Sequence, residues 1–385
     1  MHRAPLSATD DPRGFTQPQG VKNVEKTGLT RLEVHDLQYG VGGFRADYGG
    51  RTSSEQQMTK ESPDHMAVVI MPDTLDAKRP VQVVLHFHGW GFRQEKGIKD
   101  PFAGYLVASG NTASKKGTVR DVDQEHWEQQ MSAVVGARSA DQPQIVAVLV
   151  QGRGKSEFGK FPTYGYVQEV FSKVSALSAI KSYTIILSAH SGGGGTKIAP
   201  MVGAGDAQPA DASSLKADPA RAASQSAADL VVLFDAEGIE GTMKWVTQQI
   251  AALEKAVAAD PKSARTTLAK SPKFRGYFAK TGSYATRFKA QSRVLNAALA
   301  KLPPDLIDTT SPDVTVADLF RIIEVDLPGA DHEHVIGSTT DVKVGALADA
   351  LNASLNPIGD RSKAFNPVTP PKKPVPPPKG KASKP

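Results

Sequence analysis

One stretch organises this chain: residues 184–195, which read TIILSAHSGGGG. It opens with β-branched and apolar residues, and four glycines follow Ser191 directly. An apolar run of this length favours a buried strand, and the glycines favour a very tight turn that leads into a helix. A glycine-rich linker or a phosphate-binding turn is the competing interpretation of the same residues.

The spacing of small residues around Ser191 favours the strand-turn-helix interpretation. Ala189, Ser191 and Gly193 match the pattern Gly-x-Ser-x-Gly, with alanine in the first small position. That pattern marks a nucleophile elbow, in which the serine backbone is strained and a helix packs closely behind it. We therefore expect Ser191 at the carboxyl edge of a parallel sheet.

Strands and helices alternate along most of the chain. The hydrophobic pattern predicts strands over residues 29–41, 64–71, 81–87, 144–150, 229–234, 273–280 and 319–327. It predicts helices over residues 121–135, 167–180, 242–259, 285–302 and 346–355. This alternation predicts an α/β fold with a mostly parallel central sheet flanked by helices.

Two further segments follow predicted strands and carry histidines. The strand over residues 81–87 runs into His88-Gly89-Trp90-Gly91, and the last strand closes at Gly329-Ala330-Asp331-His332. The first segment resembles the oxyanion-hole loop of the α/β-hydrolase superfamily. The second resembles the Gly-Ala-x-His segment after the final strand of many members. With the elbow between them, the three motifs occur in the superfamily order, and the resemblance covers roughly residues 29–355.

The resemblance implies a serine hydrolase that forms an acyl-enzyme. Ser191 is then the nucleophile, and His332 is the base that accepts and returns the proton. His334, two residues later, is the alternative base. The N–H groups of Trp90 and Gly192 are the expected oxyanion donors, because they stand beside the reacting carbonyl in such enzymes.

Some of these assignments leave alternatives open. Gly91 replaces Trp90 as oxyanion donor if the loop is shifted by one residue. The slot after the next-to-last strand often carries the acid in the superfamily, but residues 279–283 hold no carboxylate. Asp235, at the end of the preceding apolar strand, is therefore the expected acid, because an aspartate placed there needs a partner. Glu237 and Asp308 are the alternatives.

The preferred substrate is a small-molecule or acyl carboxylic ester. An alkoxide-type leaving group needs the least help from the general acid that protonates it. An amide or peptide bond is the first alternative, since the fold alone does not choose between them. A non-catalytic binding module with the same fold is a second alternative. A metal-dependent hydrolase is a third, because His86 with His88 and His332 with His334 form two His-x-His pairs. The strand order explains these histidines without a metal, so no metal site is predicted.

The composition of the chain argues against several other classes of function and binding site. The formal net charge is +6, but five lysines lie in residues 366–385, which contain no acid. The remaining chain has 41 basic and 40 acidic side chains, so no nucleic-acid partner is predicted. Gly154-Lys155-Ser156 lacks the glycine five positions earlier that a phosphate-binding loop requires, and no cofactor is predicted. Without cysteine, the chain can form neither disulfides nor thiolate zinc sites.

The expected organisation has three parts. Residues 1–28 form a flexible arm, residues 29–358 the catalytic domain with a low-complexity surface insertion at 203–228, and residues 359–385 a disordered tail. The tail is rich in proline and lysine. We expect its positive charges to make weak contact with an anionic surface. No apolar stretch approaches membrane-span length and no secretory signal stands at the N-terminus. The expected location is cytoplasmic by default, with signal-independent export left open.

Overall fold

The computed structural model describes residues 2–4, 28–34, 37–38, 67–87, 89, 112–113, 119–120, 131, 134–136, 138–150, 158, 163–202, 228–326, 332, 335–336 and 346–366. The remainder of the predicted arm, nearly all of the predicted insertion at 203–228, and residues 367–385 of the predicted tail lie outside these ranges. Most of the helix predicted over residues 121–135 does too.

The strands are β1 (His2–Ala4), β2 (Leu29–Val34), β3 (Ala67–Pro72), β4 (Val81–Phe87), β5 (Thr112–Ala113), β6 (Val119–Arg120), β7 (Gln144–Val150), β8 (Tyr183–His190), β9 (Leu230–Phe234), β10 (Lys273–Ala279) and β11 (Phe320–Val325). Within the described residues, nine of them form one sheet in the order β1-β2-β3-β7-β4-β8-β9-β10-β11. β5 and β6 pair separately. The pairs from β1 to β7 are antiparallel, and those from β7 through β4 to β11 are parallel. This mixed, mostly parallel sheet confirms the predicted class.

The helices of the described ranges are α1 (Thr163–Lys173), α2 (Gly195–Ile198), α3 (Ile239–Ala259), α4 (Ala264–Lys270), α5 (Ala285–Leu299), α6 (Pro304–Ile307), α7 (Val316–Leu319) and α8 (Ala346–Ala353). α1, α3 and α5 pack on one face of the sheet, and α8 packs on the other. Because both faces are covered, β4, β7 and β9 are buried along their whole length. None of the described helices has the length and hydropathy that crossing a bilayer requires.

The packed helices follow the apolar spacing of the sequence. In α3 the buried side chains recur every three or four residues, so one stripe of the helix faces the sheet. α1 differs from the prediction, since it begins at Thr163 and ends at Lys173 instead of extending to residue 180. The hydroxyl groups of Ser172 and Ser178 donate to the carbonyls of Glu169 and Ser175. Serine side chains that bond locally to the backbone compete with helix continuation.

The parallel strands bring several loops to one edge of the sheet. β8 and β9 are neighbours, and their last residues, His190 and Phe234, are in register. Ser191 and Asp235 therefore follow two adjacent strand ends. The loops after β4, β10 and β11 reach the same edge, because all these strands run in the same direction. This is the edge at which ligands bind in open α/β sheets.

The first residues of the predicted tail are packed. Asn366 is only 1% exposed, and its side chain accepts from the N–H of Ile322 at 2.9 Å and donates to the carbonyl of Phe320 at 2.6 Å. The N–H of Phe365 donates to the Ile322 carbonyl at 2.7 Å. These bonds satisfy the outer edge of β11, which an edge strand otherwise leaves unpaired. The boundary predicted at residue 359 is therefore too early, because residues 359–366 still cover the sheet.

Replacing Asn366 with alanine removes both side-chain bonds to β11. The free energy of unfolding should fall by about 1–3 kcal/mol, since buried backbone groups lose their partners. Urea denaturation followed by circular dichroism measures this change. Asn356→Ala is the control, because Asn356 is exposed and its side chain makes one long hydrogen bond, which Oδ1 accepts from the N–H of Ile358 at 3.4 Å. Equal midpoints for the two variants would contradict the role of Asn366.

Candidate active site

Ser191 occupies a strained turn directly after β8. Its φ is 49°, in the left-handed region that costs a non-glycine residue about 1–3 kcal/mol. The turn is held by the loop after β9, because the N–H of Glu237 donates to the Ser191 carbonyl at 2.7 Å. A Cβ on Gly194 would lie 2.3 Å from Ala236 Cβ, and one on Gly195 would lie 1.9 Å from the Gly238 carbonyl oxygen. The glycines after Ser191 therefore allow the two loops to touch.

The loop after β4 approaches the same serine. A Cβ on Gly89 would lie 2.7 Å from Ser191 Cβ and 3.3 Å from Ser191 Oγ, so only glycine fits there without a shift. Gly192 is buried next to Ser191. Trp90 and Gly91, the two predicted oxyanion donors of this loop, lie outside the described residues. The oxyanion assignments of Trp90 and Gly192 stay predictions.

A continuous chain of hydrogen bonds links the predicted nucleophile, base and acid. His332 Nε2 lies 2.9 Å from Ser191 Oγ, and His332 Nδ1 lies 2.6 Å from Asp235 Oδ2. Because a carboxylate accepts only, Nδ1 carries the proton and donates to Asp235. Nε2 is then the acceptor, and the Ser191 hydroxyl donates to it. The arrangement can take a proton from Ser191 and stabilise the resulting positive charge on the imidazole.

Asp235 is buried completely, and its surroundings supply the donors that a buried carboxylate needs. Its Oδ1 accepts from the N–H of Tyr284 at 3.3 Å, in addition to the bond from His332. Its own N–H donates to the carbonyl of Tyr277 on β10 at 2.7 Å, and its φ is 37°. A Cβ on Gly282 would lie 2.5 Å from Oδ2. Position 282, three residues after β10, is therefore glycine because the carboxylate occupies the space that a Cβ would need.

His190 contacts both the backbone and the ring of His332. His190 Nε2 lies 2.8 Å from the carbonyl oxygen of His332, and the two rings lie 4.8 Å apart at 31°. Since a carbonyl only accepts, Nε2 of His190 is the donor. The ring of Tyr284 meets that of His332 edge to face at 5.6 Å. These contacts fix the backbone and the ring plane of His332.

Of the alternative site residues, the structure describes Asp308 and Glu237, and neither side chain is bonded to His332 there. Asp308 accepts from the N–H and the hydroxyl of Thr310 in its own loop, and these bonds lower the pKa of its carboxyl. Glu237 has an exposed side chain and contributes its backbone N–H to Ser191. His334 lies outside the described residues. Among the described candidates for the acid, Asp235 contacts His332.

The two His-x-His pairs are only partly described. His86 is buried in β4 with Nδ1 3.1 Å from Ser188 Oγ, and His332 bonds to Asp235 and Ser191. His88 and His334 lie outside the described residues. In the described part of the chain, no group of three or more His, Cys, Asp and Glu side chains is placed to hold a metal ion.

Sequence reasoning missed two residues of the site, Gly282 and Tyr284. Both lie in the loop after β10, whose residues 279–283 contain no carboxylate. Glycine in that position was the available signal, because a glycine next to a strand end often marks a close approach of another group. Nothing in the sequence pattern indicated that Tyr284 contacts Asp235 and His332.

Comparison with known proteins found structural likenesses only. No protein-family profile matches the chain, and no curated protein matches it. The chain is similar to FphF, a fluorophosphonate-binding serine hydrolase of Staphylococcus aureus, with a TM-score of 0.33, 9% identity, and 86% of this chain and 98% of that chain covered. It is similar to an S-formylglutathione hydrolase from Agrobacterium tumefaciens, with a TM-score of 0.34, 14% identity, and 86% and 97% covered. It is also similar to Candida antarctica lipase A in its closed state, with a TM-score of 0.37, 9% identity, and 95% and 88% covered.

The described residues form an α/β fold. Each of these TM-scores is below 0.5 and each identity is below 25%, so the likenesses carry no further conclusion. The sheet is mostly parallel and covered by helices, and the strained Ser191 stands between a strand and a helical turn at its carboxyl edge.

A methyl group at position 282 should disturb the site without touching Ser191. Gly282→Ala places a Cβ against the Asp235 carboxylate, so the carboxylate must move away from His332. We expect kcat on an ester to fall by about 10–100-fold, as for displacements near 1 Å. Ser283→Ala is the control, because Ser283 is exposed and adjacent. Equal rates for the two variants would contradict the packing of Gly282 on Asp235.

The competing bases and acids can be ranked by substitution. Asp235→Asn should lower kcat by about 10⁴-fold, because the imidazole loses the partner that fixes its tautomer. Asp308→Asn should leave kcat unchanged. His332→Ala should abolish turnover, and His334→Ala should reduce it modestly. Steady-state rates on one ester measure all four, and the opposite ranking of either pair would transfer the role to the other residue.

Proposed function

We propose that this protein is a serine hydrolase that cleaves carboxylic esters through an acyl-enzyme intermediate. The observation that carries the proposal is the unbroken hydrogen-bond chain from Asp235 through His332 to Ser191 Oγ. A serine hydroxyl is a poor nucleophile near neutral pH unless a base accepts its proton, and this chain supplies the base and its orienting carboxylate.

In the proposed acylation, Ser191 Oγ attacks the carbonyl carbon of the ester. The hydroxyl proton passes to His332 Nε2, and Asp235 stabilises the imidazolium through Nδ1. The carbonyl oxygen becomes an oxyanion, for which the N–H groups of Gly192 and Trp90 are the proposed donors. The imidazolium then gives its proton to the leaving alcohol as the carbon–oxygen bond breaks.

In the proposed deacylation, water takes the place of the alcohol. Water gives a proton to His332 Nε2 while its oxygen adds to the acyl carbon. The second tetrahedral intermediate collapses when the bond from carbon to Ser191 Oγ breaks, and the proton returns from His332 to Oγ. The products are the free carboxylic acid and the original hydroxyl group of Ser191.

The strained turn supports the nucleophilic role of Ser191. A left-handed non-glycine residue persists only where the surroundings over-determine it, and such residues cluster at active sites. Gly89, Gly194 and Gly195 each pack too closely for a Cβ, so the loops after β4 and β9 both hold the elbow. We propose esters over amides because an alcohol leaves with less help from the acid than an amine does.

Replacing Ser191 with alanine should remove turnover while leaving the protein folded. Loss of the nucleophile of a triad costs several orders of magnitude in kcat. A fluorophosphonate probe should label the natural protein on Ser191 and should not label the variant. Peptide mass spectrometry after labelling identifies the modified serine, and a panel of p-nitrophenyl esters and anilides measures the ester preference.

Ser188→Ala is the matched control for this experiment. Ser188 is also buried and also faces a histidine, since its Oγ lies 3.1 Å from His86 Nδ1. It lies inside β8, where a substrate carbonyl has no access. We expect Ser188→Ala to keep both labelling and turnover. Labelling on Ser188, or normal turnover in a folded Ser191→Ala protein, would overturn the proposed nucleophile.

A further inference from the structure

A cavity of about 450 Å³ lies at the amino ends of the parallel strands, on the edge of the sheet opposite Ser191. Lys273, the first residue of β10, and Leu319, the residue before β11, form part of its wall. β10 is seven residues long, so about 20 Å separate Lys273 from the loop that contains Gly282. The cavity is therefore separate from the proposed active site.

Most of the wall of this cavity is apolar. The apolar residues come from α4, from the segment before β11 and from the segment after α8: Leu268, Ala269, Val314, Leu319, Leu355 and Pro357. Leu355 is 42% exposed, whereas Leu268 and Leu319 are buried. A concave, mostly apolar surface with a few polar groups is typical of sites that bind small molecules.

The polar groups of the wall are not all satisfied by the protein. Arg265 Nη2 lies 3.6 Å from Asp313 Oδ2, and Ser354 Oγ donates to the carbonyl of Leu351. Lys273 differs from these residues. Asp229 attracts its ammonium group, but no acceptor of the described residues lies within hydrogen-bond distance of that group. The three N–H donors of an ammonium group are therefore available on an apolar wall.

Arg275, two residues after Lys273 on β10, adds a second positive charge. Its side chain is 1% exposed, and Nη2 donates to the carbonyl of Pro357, which lines the cavity. Within the described residues, Nε and Nη1 of Arg275 have no acceptor. Burial lowers the pKa of Lys273, Asp229 raises it, and the charge of Arg275 lowers it again. A negative charge beside Lys273 would relieve this repulsion between the two cations.

We propose that this cavity is a second binding site, which takes a carboxylate that carries an aliphatic chain. The carboxylate accepts from the ammonium group of Lys273 in a charge-assisted hydrogen bond, and the chain packs on the apolar wall. A small inorganic anion fits less well, because it would leave the apolar wall in contact with water. Binding at this edge of the sheet does not require the proposed hydrolase activity.

Isothermal titration calorimetry of the full chain with octanoate tests the site. Lys273→Met keeps an unbranched side chain and removes the charge, so we expect the affinity for octanoate to fall by about 10–100-fold, the range for a hydrogen bond between charged groups. Lys273→Arg keeps the charge and should retain binding. Octanol has the same chain without the charge, and it should bind the natural protein correspondingly weakly.

Lys280→Met is the matched control, because Lys280 is exposed and follows the other end of β10. Its affinity for octanoate should equal that of the natural protein. Equal affinities of Lys273→Met and Lys280→Met, or octanol binding as tightly as octanoate, would overturn the proposal.

Methyl NMR of protein labelled on leucine and valine locates the bound octanoate. The resonances of Leu268, Val314, Leu319 and Leu355 should shift, and Lys273→Met should abolish these shifts at the same octanoate concentration. Shifts that appear only beside Ser191 would place octanoate in the proposed active site and overturn the second site. Fluorophosphonate labelling of Ser191 should be the same in Lys273→Met and in the natural protein, so failure of either proposal is visible without the other.

Discussion

The bond between Asp235 Oδ2 and His332 Nδ1 is the constraint on which the site depends. Asp235 is fully buried, and a buried carboxylate without partners costs several kcal/mol. Its partners come from two other loops: His332 from the one after β11, and the Tyr284 N–H from the one after β10. Three strand ends must therefore meet before the charge is compensated. β9, β10 and β11 are parallel and in register, so their ends lie side by side at one edge. The sheet, and not any single loop, therefore brings these groups together.

The position of the Asp235 carboxylate after β9 determines what the loop after β10 contributes to the site. A carboxylate in that loop would compete with Asp235 for the same side of His332, so the loop supplies space and a donor. Gly282 gives the space, since any Cβ would collide with the carboxylate, and Tyr284 gives the N–H. The bond to Asp235 uses only the backbone of Tyr284, and its ring packs beside His332. With Asp235 after β9, the loop after β10 can therefore place an aromatic ring beside His332.

The sequence predicts the sheet well because its strands are covered on both faces and are therefore almost continuously apolar, as in β4, β7 and β9. Asp235 could be proposed because it ends such a strand. The end of α1 was placed too far along, since apolar spacing continues to residue 180 while local serine bonds follow the helix end at Lys173. Asn366 was assigned to the tail because polar residues near a terminus carry no periodic signal. Its bonds to β11 depend on tertiary contacts that a pattern of residue types does not contain.

The two strained residues of the site explain why the elbow carries more glycine than its motif requires. Ser191 and Asp235 both adopt positive φ at the ends of adjacent strands. Each turn holds the other, because the N–H of Glu237, two residues after Asp235, bonds to the Ser191 carbonyl. That bond requires the backbones after β8 and β9 to approach within a distance that excludes a Cβ at Gly194 and Gly195. The third and fourth glycines after Ser191 therefore serve the turn at Asp235 as much as the turn at Ser191, since they let one contact stabilise both strained turns at once.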